Sequence, residues 1–405
     1  MYSRSILGCL LTSLIIGLWP DSGWAQKTGP QLYTSKNFQV MTDMSPTEAK
    51  DLLNRLETMI KLVAGYFGRP LRKPIRMYVA KDLSVWPEAE LRKMEPQGLE
   101  SIRQRGGLTI TRTRGIRGGP KLDADAIVYA IADHGTPQHE AIHAYCGITF
   151  GEVGPIWYSE GMAEVGQYWR EHEKGVNAHP EVIDYLKSRK PKPLMEIINS
   201  PLETTGDSWQ NYAWRWAVCH LLGFNENYTA RFKPLGMSML TGNNASFQSV
   251  YGTQAQEIDF EYHLFLQDLE PGYRCDLCSW DWKTPFQSIK SKPGSLAKIN
   301  ARAGWQASRG LVETGVTYQV STTGTWKISK TGEDLTAAGN TQGQGQLWGI
   351  VFNDYKLSEP FELGESRTFT ASSAGKLYLR CGDAWGQLDD NTGTITVRIL
   401  RAETP

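Results

Sequence analysis

Apolar residues recur every three or four positions through SPTEAKDLLNRLETMIKLVAGYFGRP, where Leu52, Leu56, Met59, Ile60, Val63 and Phe67 fall on one stripe. That is the spacing of a helix laying one face on a core. Ser45 and Glu48 form an S-x-x-E capping box, Pro46 suits the first helical position, and Gly68 and Pro70 stop the helix. On either side the period falls to two. NFQVMTD before the helix and PIRMYVA, LTITRTR and DAIVYAIA after it read as strands, which predicts a small sheet carrying at least one helix. From Pro137 to about Leu269 the pattern is mostly helical, with WRWAVCHLLGF and EIDFEYHLFLQDL the most apolar pieces. EPGYRCDLCSWDWKTPFQSIKSKPGS, rich in Pro, Trp and Ser, then reads as a connector. Beyond it VTYQVSTTG, TWKISK, QLWGIVF, RTFTAS, GKLYLRC and GTITVRIL follow at close spacing between Gly, Asn and Ser, the signature of an all-β sandwich or barrel. The expectation is an α+β front domain followed by an all-β rear domain, without internal repeats.

Length supports two units, since 405 residues exceed one average domain. The 43 basic and 43 acidic residues cancel, and no dense Lys/Arg run follows a phosphate backbone, so nucleic acid is not an expected partner. The first 25 residues read as a secretory signal: Arg4, the apolar run ILGCLLTSLIIGLW, then Gly23 and Ala25 at the cut. That run is short of the roughly 20 residues a transmembrane anchor needs. A lipoprotein reading at Cys9 would leave most of the run on the mature chain. The expected layout is a signal peptide over 1–25, a front domain over 26–270, a linker over 271–300 and a rear domain over 301–405, exported to the periplasm or the exterior. Five cysteines remain after the signal, and the lone C-x-x-C of Cys275 and Cys278 suits a local disulfide or two free thiols better than a zinc site.

The candidate chemistry lies in QHEAIHAYCG. On a helix His139 and His143 share one face, so each can direct a ring nitrogen at one cation, while Glu140 can reach a water in the cation's open position and move its proton. With seven histidines and 43 acids, the pattern arises by accident in about one chain in a hundred of this composition. A catalytic zinc needs a third protein ligand, and an acid on a second packed helix supplies one. GPIWYSEGMAEVGQYW offers Glu160 for that role, with Glu164 one turn on to accept the spare N–H of a ligand histidine.

HEAIH followed by WYSEGMAE resembles the gluzincin clan of zinc metallopeptidases, whose third ligand is the glutamate of an N/S-E-G-x-A segment. The resemblance implies a zincin-like metallopeptidase fold, His139, His143 and Glu160 as zinc ligands, Glu140 as general base and acid, and Glu164 as a support for a ligand histidine. The gap from His143 to Glu160 is shorter than in the aminopeptidase branch, which leaves Glu164 open as the alternative ligand. Tyr212 of NYAWRWAVCHLLGF resembles the clan's oxyanion donor, and packing beside Trp214 and Trp216 is its other reading. Zincin folds hold an edge strand above the metal where a peptide substrate adds as a further strand, and DAIVYAIADHG fits that place by order. Over roughly residues 38 to 269 the chain resembles a bacterial family of exported gluzincin-like proteins.

In the rear domain CGDAWGQLDDNTGTITVRI gathers Asp383, Asp389, Asp390 and Asn391 in one loop, the hard oxygen donors calcium prefers. Asn, Asp and Gly also favour hairpins without an ion. Residues 301 to 400 resemble the calcium-dependent bacterial galactophilic lectin family, which implies Asp383, Asp390 and Asn391 as calcium ligands by side chain and Gln387 by main chain. Gln387 stands where the lectins carry a small hydroxyl residue, and their sugar-contacting loop has no clear match. The function expected is zinc-dependent hydrolysis of a peptide or protein through a water activated by Glu140, with a rear domain that takes calcium and a glycan. The alternative is a carbohydrate- or surface-binding adhesion protein with an inactive peptidase domain. A zinc hydrolase acting on another substrate is a third reading.

Overall fold

The computed structural model describes residues 29–114, 123–170, 173–199 and 208–403, and the expected signal peptide lies outside them. The chain opens with β1 (Gln31–Thr34), β2 (Phe38–Thr42), α1 (Pro46–Phe67) and β3 (Ile75–Ala80). The short α2 (Glu88–Leu91) and α3 (Pro96–Arg103) lead to β4 (Gly107–Arg114) and β5 (Asp123–Ile131). These strands form one sheet in the order β1-β2-β3-β5-β4. β2, β3 and β5 run parallel, and the outer two are antiparallel to their neighbours.

A parallel step needs a crossover, and α1 supplies the one from β2 to β3. Both halves of its capping box form, and at its end Gly68 takes φ 69° and returns its N–H to Ala64, a conformation that suits glycine. The buried stripe of α1 meets Phe38, Val40, Ile75, Met77 and Val79 of the sheet. The opposite face is covered by a smaller cluster of Trp86, Met94, Ile102 and Tyr129.

One expectation is corrected here. DAIVYAIADHG is not the edge strand, because β5 is hydrogen-bonded to β3 on one side and β4 on the other. β4, from LTITRTR, is the edge on that side of the sheet. Alternation within a strand reports which faces are buried, and says nothing of which strands lie beside it.

Helices follow: α4 (Thr136–Phe150), α5 (Ile156–Tyr168), α6 (Pro180–Ser188), α7 (Leu194–Asn199), α8 (Trp209–Phe224), α9 (Thr229–Leu240), α10 (Phe247–Tyr251) and α11 (Ala255–Gln267). α4 lies on the same face of the sheet as α1, and Ala141, Ile142, Ala144 and Tyr145 continue that core. α5 packs on α4 and is backed in turn by α8. Among the described residues no helix is long and apolar enough to cross a membrane.

The rear part holds β6 (Gln287–Ser288), β7 (Ser295–Asn300), β8 (Gln306–Val312), β9 (Thr317–Thr323), β10 (Trp326–Lys327), β11 (Gln346–Asn353), β12 (Lys356–Leu357), β13 (Phe361–Glu362), β14 (Ser366–Thr370), β15 (Gly375–Gly382) and β16 (Thr392–Arg401). One sheet runs β10-β16-β9-β14 with β7 also on β16, and the other runs β12-β11-β15-β8-β6 with β13 on β11. Ile299, Val320, Ile395 and Val397 of the first share a core with Val312, Leu347, Leu377 and Leu379 of the second, an arrangement compatible with a β-sandwich. β6 and β7 arise within 271–300, the stretch read as a linker, and β7 pairs with β16 along its length. TWKISK contributes only the two residues of β10.

The connector itself is packed. Trp280 joins Phe260 of α11 to Ile350, Phe352 and Tyr378 on the outer side of the second rear sheet. Beside it the buried Glu261 carboxylate accepts from Asn225 Nδ2 at 2.6 Å, Asn227 Nδ2 at 3.0 Å, Tyr228 OH at 2.5 Å, Trp280 N–H at 2.9 Å and Trp282 Nε1 at 2.7 Å. Burial raises its pKa even against these donors. All five described cysteines are free thiols, Cys275 and Cys278 included.

Candidate metal centre

α4 starts where Asp133 ties down the chain, its Oδ1 accepting the N–H groups of Gly135 at 3.0 Å and Thr136 at 2.7 Å. The helix is buried on most sides, and His139 and Glu140 are only 7% and 8% exposed. α5 comes close because Gly161 faces α8 without a side chain. A Cβ there would lie 2.4 Å from Cys219 Sγ and 2.6 Å from the Arg215 carbonyl oxygen. This close contact aims Glu160 at α4.

Three atoms meet between the helices. His139 Nε2 is 3.2 Å from His143 Nε2 and 3.2 Å from Glu160 Oε2, and His143 Nε2 is 3.4 Å from Glu160 Oε2. A tetrahedral ion with bonds of about 2.0–2.1 Å sets its ligands about 3.3–3.4 Å apart. The three atoms therefore match three corners of such a tetrahedron and leave a fourth for water or substrate. Among the described residues this is the one group of three or more His, Cys, Asp or Glu ligand atoms close enough to share an ion.

The outer nitrogens are engaged elsewhere. Glu164 Oε1 lies 2.9 Å from His139 Nδ1, and Ser159 Oγ lies 3.2 Å from His143 Nδ1. With each Nδ1 protonated and donating, both Nε2 atoms turn bare lone pairs inward. Glu160 stands at the point of convergence and Glu164 behind it, so the geometry suits the first as ligand and the second as support.

Burial opposes a proton on His139, but Glu160 and Glu164 at its two nitrogens outweigh burial and hold its pKa well above the ordinary value. Burial also opposes charge on Glu160, and its bonds to the two imidazoles outweigh that, holding the carboxyl far below the usual range. The pocket thus concentrates negative charge that either protons or a divalent cation can satisfy.

Glu140 projects to the side of this triangle, where Thr109 Oγ1 of the edge strand lies 2.7 Å from its Oε2. The Tyr212 ring centroid stands 5.6 Å from that of His139, at the start of α8. Ser159 and Thr109 are additions to the sequence reading. Ser159 had a signal, being the S of S-E-G. Thr109 had none, because nothing local says that its strand lies along α4.

In the rear loop, Asp383 follows β15 and Asn391 precedes β16. Asp383 Oδ1 accepts the Ala384 N–H at 2.8 Å, and Asn391 Nδ2 donates to the Ala301 carbonyl at 3.1 Å. Asp383 Oδ2 and Asn391 Oδ1 are buried without a donor, the unsatisfied state a cation would relieve. Asp390 is half-buried and Gln387 exposed. Asp389 is drawn off instead by Arg274 and Arg302.

Next to this loop a cleft of about 390 Å³ opens between α11 and the rear sheets, lined by Gln267, Asp268, Trp305, Trp348, Arg380 and Trp385 among others. The Arg380 guanidinium lies 3.5 Å over the Trp385 ring. Burial pushes the Asp268 carboxyl up to about 6.

No protein-family model matches the sequence, and no curated protein matches it. Among solved structures the chain is similar to the EclA N-terminal domain, described as a PllA-like lectin, at 14% identity and a TM-score of 0.22. The match covers 27% of this chain and 96% of that one. At this distance the likeness carries no functional assignment.

Proposed function

We propose that the protein is a zinc metallopeptidase with a zincin-like front domain, hydrolysing peptide bonds in peptide or protein substrates. One observation carries the reading: His139 Nε2, His143 Nε2 and Glu160 Oε2 stand 3.2–3.4 Å apart with both Nδ1 atoms anchored from behind. Zinc bound there would polarise the scissile carbonyl and acidify the attacking water. Glu140 takes the water's proton on its carboxylate as the water oxygen bonds to the carbonyl carbon. It passes that proton to the amide nitrogen as the C–N bond breaks. Tyr212, beside His139, donates to the developing oxyanion. The leader-like N-terminus supports export to the periplasm or the exterior.

Purified protein should carry about one zinc per chain by elemental analysis. Glu140→Gln should keep the zinc and lose hydrolysis of a peptide library by at least about a hundredfold. A zinc-free wild type, or a Glu140→Gln variant as active as wild type, would overturn the proposal.

The two donorless oxygens of Asp383 and Asn391 favour a second role in the rear part. Calcium held there by the side chains of Asp383, Asp390 and Asn391 and the main chain of Gln387 would satisfy them, and the neighbouring tryptophan-lined cleft suits a sugar. A glycan array read with and without calcium tests this. Calcium-dependent glycan binding by a protein with no zinc and no hydrolysis would favour the adhesion alternative.

A further inference from the structure

The edge strand β4 runs along α4, and its alternate residues meet the helix in turn. Gly107 faces Glu140: a Cβ there would lie 2.6 Å from Glu140 Cγ and 2.7 Å from its Oε1. Two residues on, Thr109 Oγ1 lies 2.7 Å from Glu140 Oε2 and 2.8 Å from the Glu140 main-chain oxygen. Two further on, the Thr111 side chain abuts Gly147. A threonine hydroxyl has one proton to give, and of its two neighbours the charged carboxylate oxygen is the stronger acceptor. The Oε2 atom is thereby tethered, and Oε1 lies in the space that Gly107 leaves open.

From this geometry we infer that Thr109 is a positioning residue for the general base: its hydroxyl fixes Glu140 by Oε2 so that proton transfer runs through Oε1. The inference rests on the peptidase reading and adds to it the division of labour within the carboxylate. Water gives its proton to Oε1 as its oxygen bonds to the carbonyl carbon. The hydroxyl stays on Oε2 throughout, and the proton on Oε1 goes to the leaving nitrogen as the C–N bond breaks. Without the tether the carboxylate can rotate, and the proton acceptor is no longer held against the reacting water, a loss felt in the chemical step more than in substrate binding.

Thr109→Val keeps the shape and removes the hydroxyl, whereas Thr109→Ser keeps the hydroxyl and removes a methyl. With zinc content verified, Thr109→Val should lower kcat roughly tenfold to a hundredfold with KM within about twofold. Thr109→Ser should stay within a few fold of wild type, and Thr109→Ala serves as the hydroxyl-free variant if the valine one folds poorly. A readout independent of turnover is the crystal structure of the metal-free hydroxyl-free variant, in which the Glu140 carboxylate should leave its wild-type position. Equal kcat in wild type and the hydroxyl-free variant, equal impairment of the valine and serine variants, or an unmoved Glu140 overturns the inference and leaves the peptidase reading intact. A zinc-loaded wild type that cleaves no peptide overturns that reading, and this inference with it.

Discussion

Glu164 and Glu160 are one helical turn apart and differ in what they face. Glu160 meets the Nε2 atoms of both His139 and His143, whereas Glu164 meets Nδ1 of His139. Loss of a carboxylate behind a ligand histidine typically weakens metal binding 10–100-fold. Glu164→Ala should therefore raise the zinc Kd by about that factor, and Glu160→Ala should raise it more, both read by competition with a chromophoric chelator. The reverse order would move the third ligand to Glu164. The spacing of the two acids was legible in the sequence, and their assignment leaned on a resemblance. What separates them is the rotation of α5 about its own axis, which depends on packing against α8.

That packing is a property of elements. Gly161 allows the contact, and alanine is the better helix former by about 1 kcal/mol. Gly161→Ala should nonetheless lower stability by about 1–3 kcal/mol, because the added Cβ meets a backbone oxygen as well as Cys219 Sγ. Thermal unfolding would measure it, and the double variant with Cys219→Ala should recover only part, since the Arg215 carbonyl remains in the way. α1 could be read from the chain because its caps and its stripe are local, and the rear strands with clean alternation could be read for the same reason. β7 was hidden because S-L-A-K-I-N sits beside a Pro- and Ser-rich stretch and looks like more connector. The order of β4 and β5 was hidden because it is fixed by pairing across the sheet. The shared face of His139 and His143 on α4 was legible for the opposite reason, since positions four apart on one helix need no tertiary information.

Across the whole molecule the front and rear parts meet at α11, the connector and the second rear sheet. Asp268 sits in the cleft at this junction with its carboxyl pushed up to about 6 by burial, above its ordinary 3.8. The folded state thus keeps a proton that the unfolded chain releases, so stability falls as pH rises from about 4 to about 6 and stays lower above that. Asp268→Asn should flatten this part of the stability profile. At pH 7 it should be more stable than wild type by up to about 3 kcal/mol, as measured by denaturant unfolding at several pH values.

The carboxylate of Glu261 draws its donors from α8's exit, from Tyr228 and from both connector tryptophans. Anyone wishing to express the rear part by itself would sever the chain near this carboxylate, and that cut strips cover from Phe352 and Tyr378 on the sheet beyond. The fragment would carry a bare aromatic face and tend to self-associate, so its behaviour in isolation would be a poor guide to what the same strands do in the intact chain.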